Sequence, residues 1–341
     1  MQPLQTLCAL CGVSGREHAV RDYILEQLNA APTDKTVTVD PLGNVLVELR
    51  GERRADKRLM FAAHMDEVGL IITHIESDGT LKFAPVGGID DKALFGARVQ
   101  VGDAVGIIGG KAIHQCSGDE KKTVPCADKM RIDIGAATRE EAEQAVGVGD
   151  VATFYSEWIA LGDHKVKAKA LDDRAGCALL LQLAQTTPKY DITLAFTVQE
   201  EVGLRGARTA AFAVQPDVAV VVDVTTAADI AGVSGADCVC RQGEGPVVSF
   251  MDGRTLYDSD LYDTLMKTAK TLGIPAQTKT RIAGGNDAGS IQTTGRGARV
   301  AAVSLPGRYI HSSGCVIDTR DFEDTAALLN ASVAAILGDR A

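Results

Sequence analysis

The apolar residues of this chain form long runs and helical spacings towards both ends of the sequence, and short alternating runs in the middle. Largely apolar runs at 59–63, 192–198 and 218–222 predict strands buried on both faces, because a strand covered on one face alternates instead. Val20, Ile24 and Leu28 recur at the spacing of one helix face. The two ends of the chain therefore predict an α/β architecture.

Other segments complete the predicted elements. Alternating residues predict strands at 35–40 and 45–49, and an apolar run predicts another at 298–305. Helices are predicted after Asp172 to about residue 185, and at 207–214, 260–272 and 322–337. Ser/Thr-x-x-Glu patterns at 14–17 and 138–141 predict capping boxes, while Asp260 and Gly273 are predicted to cap the two ends of one helix.

Between residues 68 and 161 the pattern changes to short alternating runs separated by glycine and aspartate turns. Many short strands at this spacing predict a small β-barrel or sandwich. The predicted fold is α/β, with a central mixed sheet flanked by helices and an inserted small β-barrel. In this division, 1–67 and 162–341 form the catalytic domain and 68–161 form the inserted domain.

Composition narrows the classes of function. The 341 residues carry a net charge of −10, which leaves no basic footprint for nucleic acid or an anionic membrane. Only 4% of them are aromatic, which disfavours a base-stacking surface. No signal-peptide pattern or apolar run of about 18 residues is present, so we expect a cytoplasmic protein with its eight cysteines reduced. Cys8 and Cys11 have the spacing of a redox or zinc half-site, but ordinary thiols are favoured because no second pair has zinc spacing.

Acidic and histidine residues follow the predicted strands. They are His64, Asp66, Glu200, Glu201, Asp223 and His311, and Asp172 and Asp173 add two acids at a helix start. Singly, an acid at a helix start is usually a cap, and His-x-Asp can be a satisfied histidine beside a surface acid. Parallel strands end at one edge of a sheet, however, and so many carboxylates gathered there require cations. Imidazole with carboxylate suits zinc, cobalt or manganese, and a bridging ligand would hold two ions about 3.5–4 Å apart.

Seven short motifs extend this pattern over essentially the whole chain. They lie at 13–17, 63–69, 171–176, 199–206, 221–223, 284–288 and 308–312. In order and spacing they resemble the tetrahedral cytosolic metalloaminopeptidases, the family of glutamyl and deblocking aminopeptidases.

The resemblance implies a role for each candidate residue. The implied metal ligands are His64 and Asp223 for one ion, Glu201 and His311 for the other, and Asp172 as the bridge. The implied supporting roles are Glu200 as general base, Asp66 as the residue that orients His64, and Asp173 as a structural residue.

The resemblance also implies the activity and the partners. We expect an aminopeptidase that removes N-terminal residues from peptides, with two divalent metal ions per subunit, zinc first and cobalt or manganese as alternatives. The family assembles into hollow tetrahedral homododecamers, which gives segment 68–161 an expected role in oligomerisation or substrate access. No nucleic-acid or membrane partner is expected.

Two kinds of alternative function stay open. One is an N-deacylase or carboxypeptidase on the same dimetal scaffold, although such enzymes usually carry their insert after the Glu-Glu segment. The other is an assembly protein with a vestigial site. A further hypothesis is that Arg308 or lysines of the insert select substrates with an acidic first residue. The alternative hypothesis is that these cations are only exposed, solvated side chains.

Overall fold

The computed structural model describes residues 1–338, so 339–341 of the predicted catalytic segment lie outside the described part. The helices are α1 (Gln2–Ala9), α2 (His18–Ala30), α3 (Asp91–Leu94), α4 (Arg139–Ala142), α5 (Leu171–Leu183), α6 (Arg205–Val214), α7 (Ser259–Leu272), α8 (Ala288–Thr293) and α9 (Thr319–Leu337). The strands are β1 (Lys35–Val39), β2 (Val45–Leu49), β3 (Leu59–His64), β4 (Gly69–Ile75), β5 (Leu81–Val86), β6 (Arg98–Val101), β7 (Ala104–Gly109), β8 (Arg131–Asp133), β9 (Val151–Phe154), β10 (Ile159–Leu161), β11 (Lys165–Ala168), β12 (Ile192–Thr197), β13 (Val218–Thr226), β14 (Val247–Val248), β15 (Gln277–Thr278), β16 (Arg299–Arg308) and β17 (Cys315–Asp318).

A large mixed sheet has four parallel strands at its centre. Its order is β1-β2-β12-β3-β13-β16-β17-β11-β10, with β14 and β15 attached beside β16. Strands β12, β3, β13 and β16 are parallel to one another, and the outer strands pair antiparallel. Because parallel strands end at one edge of a sheet, the residues that follow them are brought together there.

Strand β3 explains why the central strands have uninterrupted apolar runs. Leu59, Phe61 and Ala63 pack into the core that contains residues of α1, α2, α5 and α9. Met60 and Ala62 point to the opposite face, against alanines of α6 and α8. Alternate residues of a strand face opposite sides, so both faces of β3 are covered and its double burial is confirmed.

Six antiparallel strands form a closed barrel between β3 and β10. Their order is β4-β5-β8-β7-β6-β9, and the barrel has its own apolar core. The chain then rejoins the large sheet through β10 and β11, which pair with each other and with β17. The large mixed sheet with flanking helices and this barrel confirm the predicted fold class.

The predicted capping box at 14–17 is wrong. Helix α2 begins at His18, and its first turn receives no side-chain cap. The side chains of Ser14 and Glu17 instead bind groups more than 50 residues away in the sequence, Asp66 and the backbone of Gln199. Hydrogen bonds to distant partners therefore replace the local i, i+3 pair that a capping box requires.

Helix α7 is capped by a different aspartate from the one predicted. Asp258 accepts a hydrogen bond from Leu261 N at 3.0 Å, so Asp260 lies inside the first turn. Gly273 ends α7 with a φ of +71°, as predicted. Thr138 caps α4 as predicted, accepting from Glu141 N at 3.3 Å. Within residues 1–338, none of the helices has the length and apolar character needed to span a bilayer.

Candidate active site

The predicted site residues lie around one cavity at the carboxyl edge of the parallel strands. His64 ends β3, Asp223 lies in β13, and Asp172 lies at the start of α5. Glu200 and Glu201 follow β12, and His311 follows β16. All six line a cavity of about 230 Å³. The sheet topology therefore gathers residues from five separate segments.

Asp172 lies between the two imidazoles. Its Oδ1 is 3.4 Å from Nε2 of His64, and its Oδ2 is 3.4 Å from Nε2 of His311. Glu201 Oε1 is 3.2 Å from His311 Nε2, and Asp223 Oδ1 is 4.0 Å from His64 Nε2. Each imidazole thus has its own carboxylate and shares Asp172 with the other.

Both imidazole rings are oriented through Nδ1. His64 Nδ1 is 3.1 Å from the carbonyl oxygen of Asp66, and His311 Nδ1 is 2.7 Å from that of Gly88. A carbonyl oxygen only accepts, so Nδ1 carries the hydrogen and the Nε2 lone pair of each neutral ring faces carboxylate oxygens. Such lone pairs repel unless a cation lies between them; that cation is a proton on Nε2 in the metal-free protein, and a metal ion can take its place. The donor set therefore fits divalent metal ions.

Burial controls the electrostatics of the cluster. It raises the pKa values of Glu200 and Asp223 well above the usual range, because a buried environment penalises the charged form. Burial acts to lower the pKa of His311, but hydrogen bonds to Asp172 and Glu201 outweigh it and raise that pKa to about 11. Burial opposes ionisation of Asp172 too, yet the two imidazoles bring its pKa below the usual value. Such a cluster of acids creates a field that attracts cations.

The neighbouring acid, Asp173, has a different environment. Its Oδ2 accepts from the backbone of His64 at 3.1 Å and its Oδ1 accepts from Gly176 N at 3.0 Å. A Cβ at position 176 would lie 2.5 Å from both carboxylate oxygens, so glycine permits this approach. Asp173, Asp223 and His64 have ligand atoms within 4.8 Å of one another, but both Asp173 oxygens are occupied by amides. Asp172 and Asp173 have non-helical backbone angles within α5, so Asp173 caps the regular part of the helix that follows it and anchors the end of β3.

Asp66 makes more contacts than sequence reasoning anticipated. Its Oδ1 is 3.4 Å from His64 Nδ1, which is consistent with an orienting role. The same carboxylate accepts from Glu200 N at 2.9 Å, from Glu201 N at 3.1 Å and from Ser14 Oγ at 2.6 Å. Asp66 therefore connects the end of β3 with the segment that follows β12.

A buried ion cluster behind the site was not predicted. Glu67 Oε1 lies 2.8 Å from Lys169 Nζ and 3.2 Å from Arg174 Nη2, and it accepts from Gly12 N at 3.0 Å. Thr153 Oγ1 donates to Glu67 Oε2 at 2.8 Å. The available signal was the pair of cations that flank the adjacent acids Asp172 and Asp173, since buried charges need partners.

Lys279 and Arg281, which sequence reasoning did not single out, line the cavity, whereas Arg308, which it did single out, is not among the lining residues. Arg308 instead forms a paired contact with Asp229, through Nε at 2.6 Å and Nη2 at 2.8 Å. This bidentate pairing occupies the guanidinium of Arg308. A mixed sheet with an inserted barrel, carrying imidazoles and carboxylates where its parallel strands end, is the arrangement expected of a metal-dependent hydrolase built on an α/β sheet.

Comparison with known proteins identifies the family within that class. The family model of M42 glutamyl aminopeptidase matches residues 43–328. The chain belongs to this family of metallopeptidases and is an aminopeptidase, a peptide hydrolase.

Curated relatives are similar over nearly their whole length. The lysyl aminopeptidase of Pyrococcus furiosus is 33% identical over 94% of this chain and 92% of its own. The glutamyl aminopeptidase of Lactococcus lactis subsp. cremoris is 30% identical over 98% of this chain and 95% of its own.

Solved structures have the same fold. Aminopeptidase APDkam598 from Desulfurococcus kamchatkensis has a TM-score of 0.91 and 36% identity, covering 97% of this chain and 93% of its own. A TET aminopeptidase from Thaumarchaeota archaeon SCGC AB-539-E09 has a TM-score of 0.92 and 33% identity, covering 100% and 96%. The TET1 peptidase of Pyrococcus horikoshii, described as assembling into a tetrahedron or a large octahedral shell, has a TM-score of 0.85 and 33% identity over 97% and 98%.

Proposed function

We propose that this aminopeptidase removes N-terminal residues from peptides with water activated at two divalent metal ions. The proposed ligands are His64 and Asp223 for one ion, Glu201 and His311 for the other, and Asp172 as the bridge. The observation that carries this proposal is the position of Asp172, whose two oxygens each lie 3.4 Å from a different imidazole. Zinc suits these donors best, and cobalt and manganese accept the same donors.

Glu200 is the proposed general base. Two bound ions would supply a water molecule of lowered pKa and a polarised scissile carbonyl. Glu200 lines the cavity, and Asp66 holds its backbone amide rather than its carboxylate, which leaves the carboxylate available for proton transfer. Glu200 would take the proton from the water and pass it to the leaving amine.

The acidic wall of the cavity favours substrates with a free amino terminus. A peptide α-amino group is a hydrogen-bond donor with positive charge, and the cavity lining includes Glu200 and Asp252, two acids that are not among the proposed metal ligands. An N-acylated peptide lacks that charge. We therefore expect cleavage of a free dipeptide amide and no cleavage of its N-acetylated form, and the reverse order would favour an N-deacylase.

Lys279 and Arg281 support a preference for acidic first residues, as in a glutamyl aminopeptidase. Both line the cavity, and Lys279 Nζ donates to the carbonyl of Ala283 at 3.1 Å. Arg281 Nη1 lies 3.8 Å from Asp237 Oδ1, a single exposed contact rather than the bidentate, half-buried pairing of Arg308. Curated relatives include both a glutamyl and a lysyl aminopeptidase, so the side chains of this chain carry the proposal. A panel of aminoacyl chromogenic substrates should rank glutamyl first, and Lys279→Met should reduce that preference. Lys267→Met, on the exposed face of α7, is the matched control.

We further propose that the chain self-associates into a tetrahedral dodecamer. The support is its similarity to the TET1 peptidase of Pyrococcus horikoshii and to the TET aminopeptidase of the Thaumarchaeota archaeon. The proposed division assigns 1–67 and 162–341 to a catalytic domain and 68–161 to an inserted domain for assembly or substrate access. Small-angle scattering of the purified protein tests this, and a monomer at micromolar concentration would contradict it.

The variant Glu200→Gln tests the proposed mechanism. The amide cannot accept a proton, so we expect turnover to fall by about 10²–10⁴-fold. Metal analysis should find unchanged metal content in Glu200→Gln and reduced content in Glu201→Gln. Near wild-type turnover in Glu200→Gln would remove Glu200 as the base, and absence of metal from replete wild-type protein would favour a vestigial site.

A further inference from the structure

Four successive backbone amides after β12 are bound by side chains from the first 66 residues of the chain. This segment, residues 198–201, carries both Glu200 and Glu201. The acceptors are Asn44 Oδ1 for Val198 N at 2.9 Å, Glu17 Oε1 for Gln199 N at 3.1 Å, Asp66 Oδ1 for Glu200 N at 2.9 Å and Asp66 Oδ2 for Glu201 N at 3.1 Å.

These amides connect the backbone of the segment to distant parts of the chain. Strand β12 ends at Thr197, so the ladder of the sheet no longer binds the backbone beyond it. The carbonyls of residues 198–200 are bound by amides of the turn that follows, at residues 203–206. The carbonyl side of the segment is therefore satisfied locally, and only its amide side reaches distant elements.

Gln199 is the residue of this segment that most needs support. It has a φ of +55°, in the left-handed region that non-glycine residues enter at a cost. Its amide is bound by Glu17, which is buried and uses the same Oε1 to accept from Gly15 N at 2.7 Å. Glu17 thus joins the loop before α2 to the residue directly before Glu200.

We propose that Glu17 is a positioning residue for Glu200. By binding the Gln199 amide, its Oε1 holds the left-handed turn that aims the Glu200 carboxylate into the cavity. The inference rests on the proposed role of Glu200 as the base. Misplacement of a catalytic group by about 1 Å can cost about 10²-fold in rate, so loss of this hydrogen bond should act on turnover rather than on binding.

The test compares Glu17→Ala with Glu17→Gln. The backbone amides of Gly15 and Gln199 both donate to the same oxygen, Glu17 Oε1. The side-chain oxygen of Gln can replace this acceptor, whereas Ala removes it. We expect kcat to fall about 10–100-fold in Glu17→Ala with KM within about twofold, and to stay within about threefold of wild type in Glu17→Gln. Metal content should be unchanged in both, because Asp66 still holds Glu201. Val20→Ala, a buried position of α2 three residues after Glu17, is the control that lowers Tm through lost packing while keeping the Glu17 carboxylate.

The outcomes separate this proposal from the proposed function. If Glu200→Gln loses turnover while Glu17→Ala retains it, the base assignment stands and the positioning role is overturned. The positioning role is also overturned if Glu17→Ala shows only a rise in KM or loses its metal. The same conclusion follows if Glu17→Gln is as slow as Glu17→Ala, or if Val20→Ala loses as much kcat as Glu17→Ala. If Glu200→Gln itself remains active, the proposed role of Glu200 as the base fails, and the positioning role that rests on it is overturned as well.

Discussion

The buried Glu67 carboxylate provides the sharpest prediction about stability. Glu67, Lys169 and Arg174 are each no more than 4% exposed. Glu67→Gln keeps the shape of the side chain but removes the only negative charge among these three residues. One oxygen of Gln can still accept, while its amide nitrogen must face Lys169 Nζ or Thr153 Oγ1, which lie 2.8–2.9 Å from the carboxylate oxygens.

The size of the effect follows from these contacts. Removing one partner of a buried ion pair costs about 3–5 kcal/mol, because the other charge stays buried without compensation. Since Gln keeps one acceptor, we expect the lower end, about 3 kcal/mol. An unfolding entropy of about 2.1 cal/mol/K per residue gives about 0.7 kcal/mol/K for a chain of this length, so Tm should fall by about 4 °C.

The pH dependence supplies a second readout. Burial opposes ionisation of Glu67, but the charges of Lys169 and Arg174 outweigh it and lower its pKa. A group whose folded pKa is lowered stabilises the protein above its unfolded pKa, about 4.3, and loses this contribution as the pH falls through the folded value. The stability difference between wild type and Glu67→Gln should therefore be full at pH 7 and narrow in acid.

The assay is urea unfolding of both proteins with chelator present, so that release of metal at low pH does not enter the comparison. Glu26→Gln, an exposed change of the same chemistry, is the control and should leave stability unchanged. If Glu67→Gln unfolds at the same urea concentration as Glu26→Gln at pH 7, or if its deficit grows in acid, the buried charge does not stabilise the fold as argued.

Two further predictions concern the site itself. Asp172→Asn presents at most one oxygen to the two imidazoles, so the content of both proposed ions should fall, whereas Asp173→Asn should lower Tm and keep the proposed ions because its oxygens bind backbone amides. Mass spectrometry of replete protein measures the metal, and equal losses in the two variants would contradict the distinct roles. Gly206→Ala would place a Cβ 2.3 Å from the carbonyl oxygen of Val198, so we expect about 1–3 kcal/mol of destabilisation and a reduced kcat. Gly118→Ala is the control, because a Cβ at position 118 meets nothing within 4 Å. A wild-type kcat in Gly206→Ala would contradict the coupling between this turn and Glu200.

The pattern of residues by itself determined the elements and the edge of the sheet where the site lies. An apolar run such as 59–63 predicts a strand buried on both faces, and residues that follow parallel strands meet at one edge of the sheet. His64, Glu201, Asp223 and His311 were therefore predictable as neighbours without any knowledge of side-chain direction.

Only the tertiary structure decided which neighbouring polar residues contact the cavity and which support it. Asp172 and Asp173 are adjacent acids, and one faces the imidazoles while the other accepts backbone amides. The Ser14-x-x-Glu17 pattern resembles a capping box, yet the Ser14 hydroxyl donates to Asp66 and the Glu17 carboxylate accepts from the Gln199 amide. Hydrogen-bond donors and acceptors choose partners by distance in space, which local spacing does not encode, and that is why supporting residues such as Glu17 and Glu67 emerged only from the folded chain.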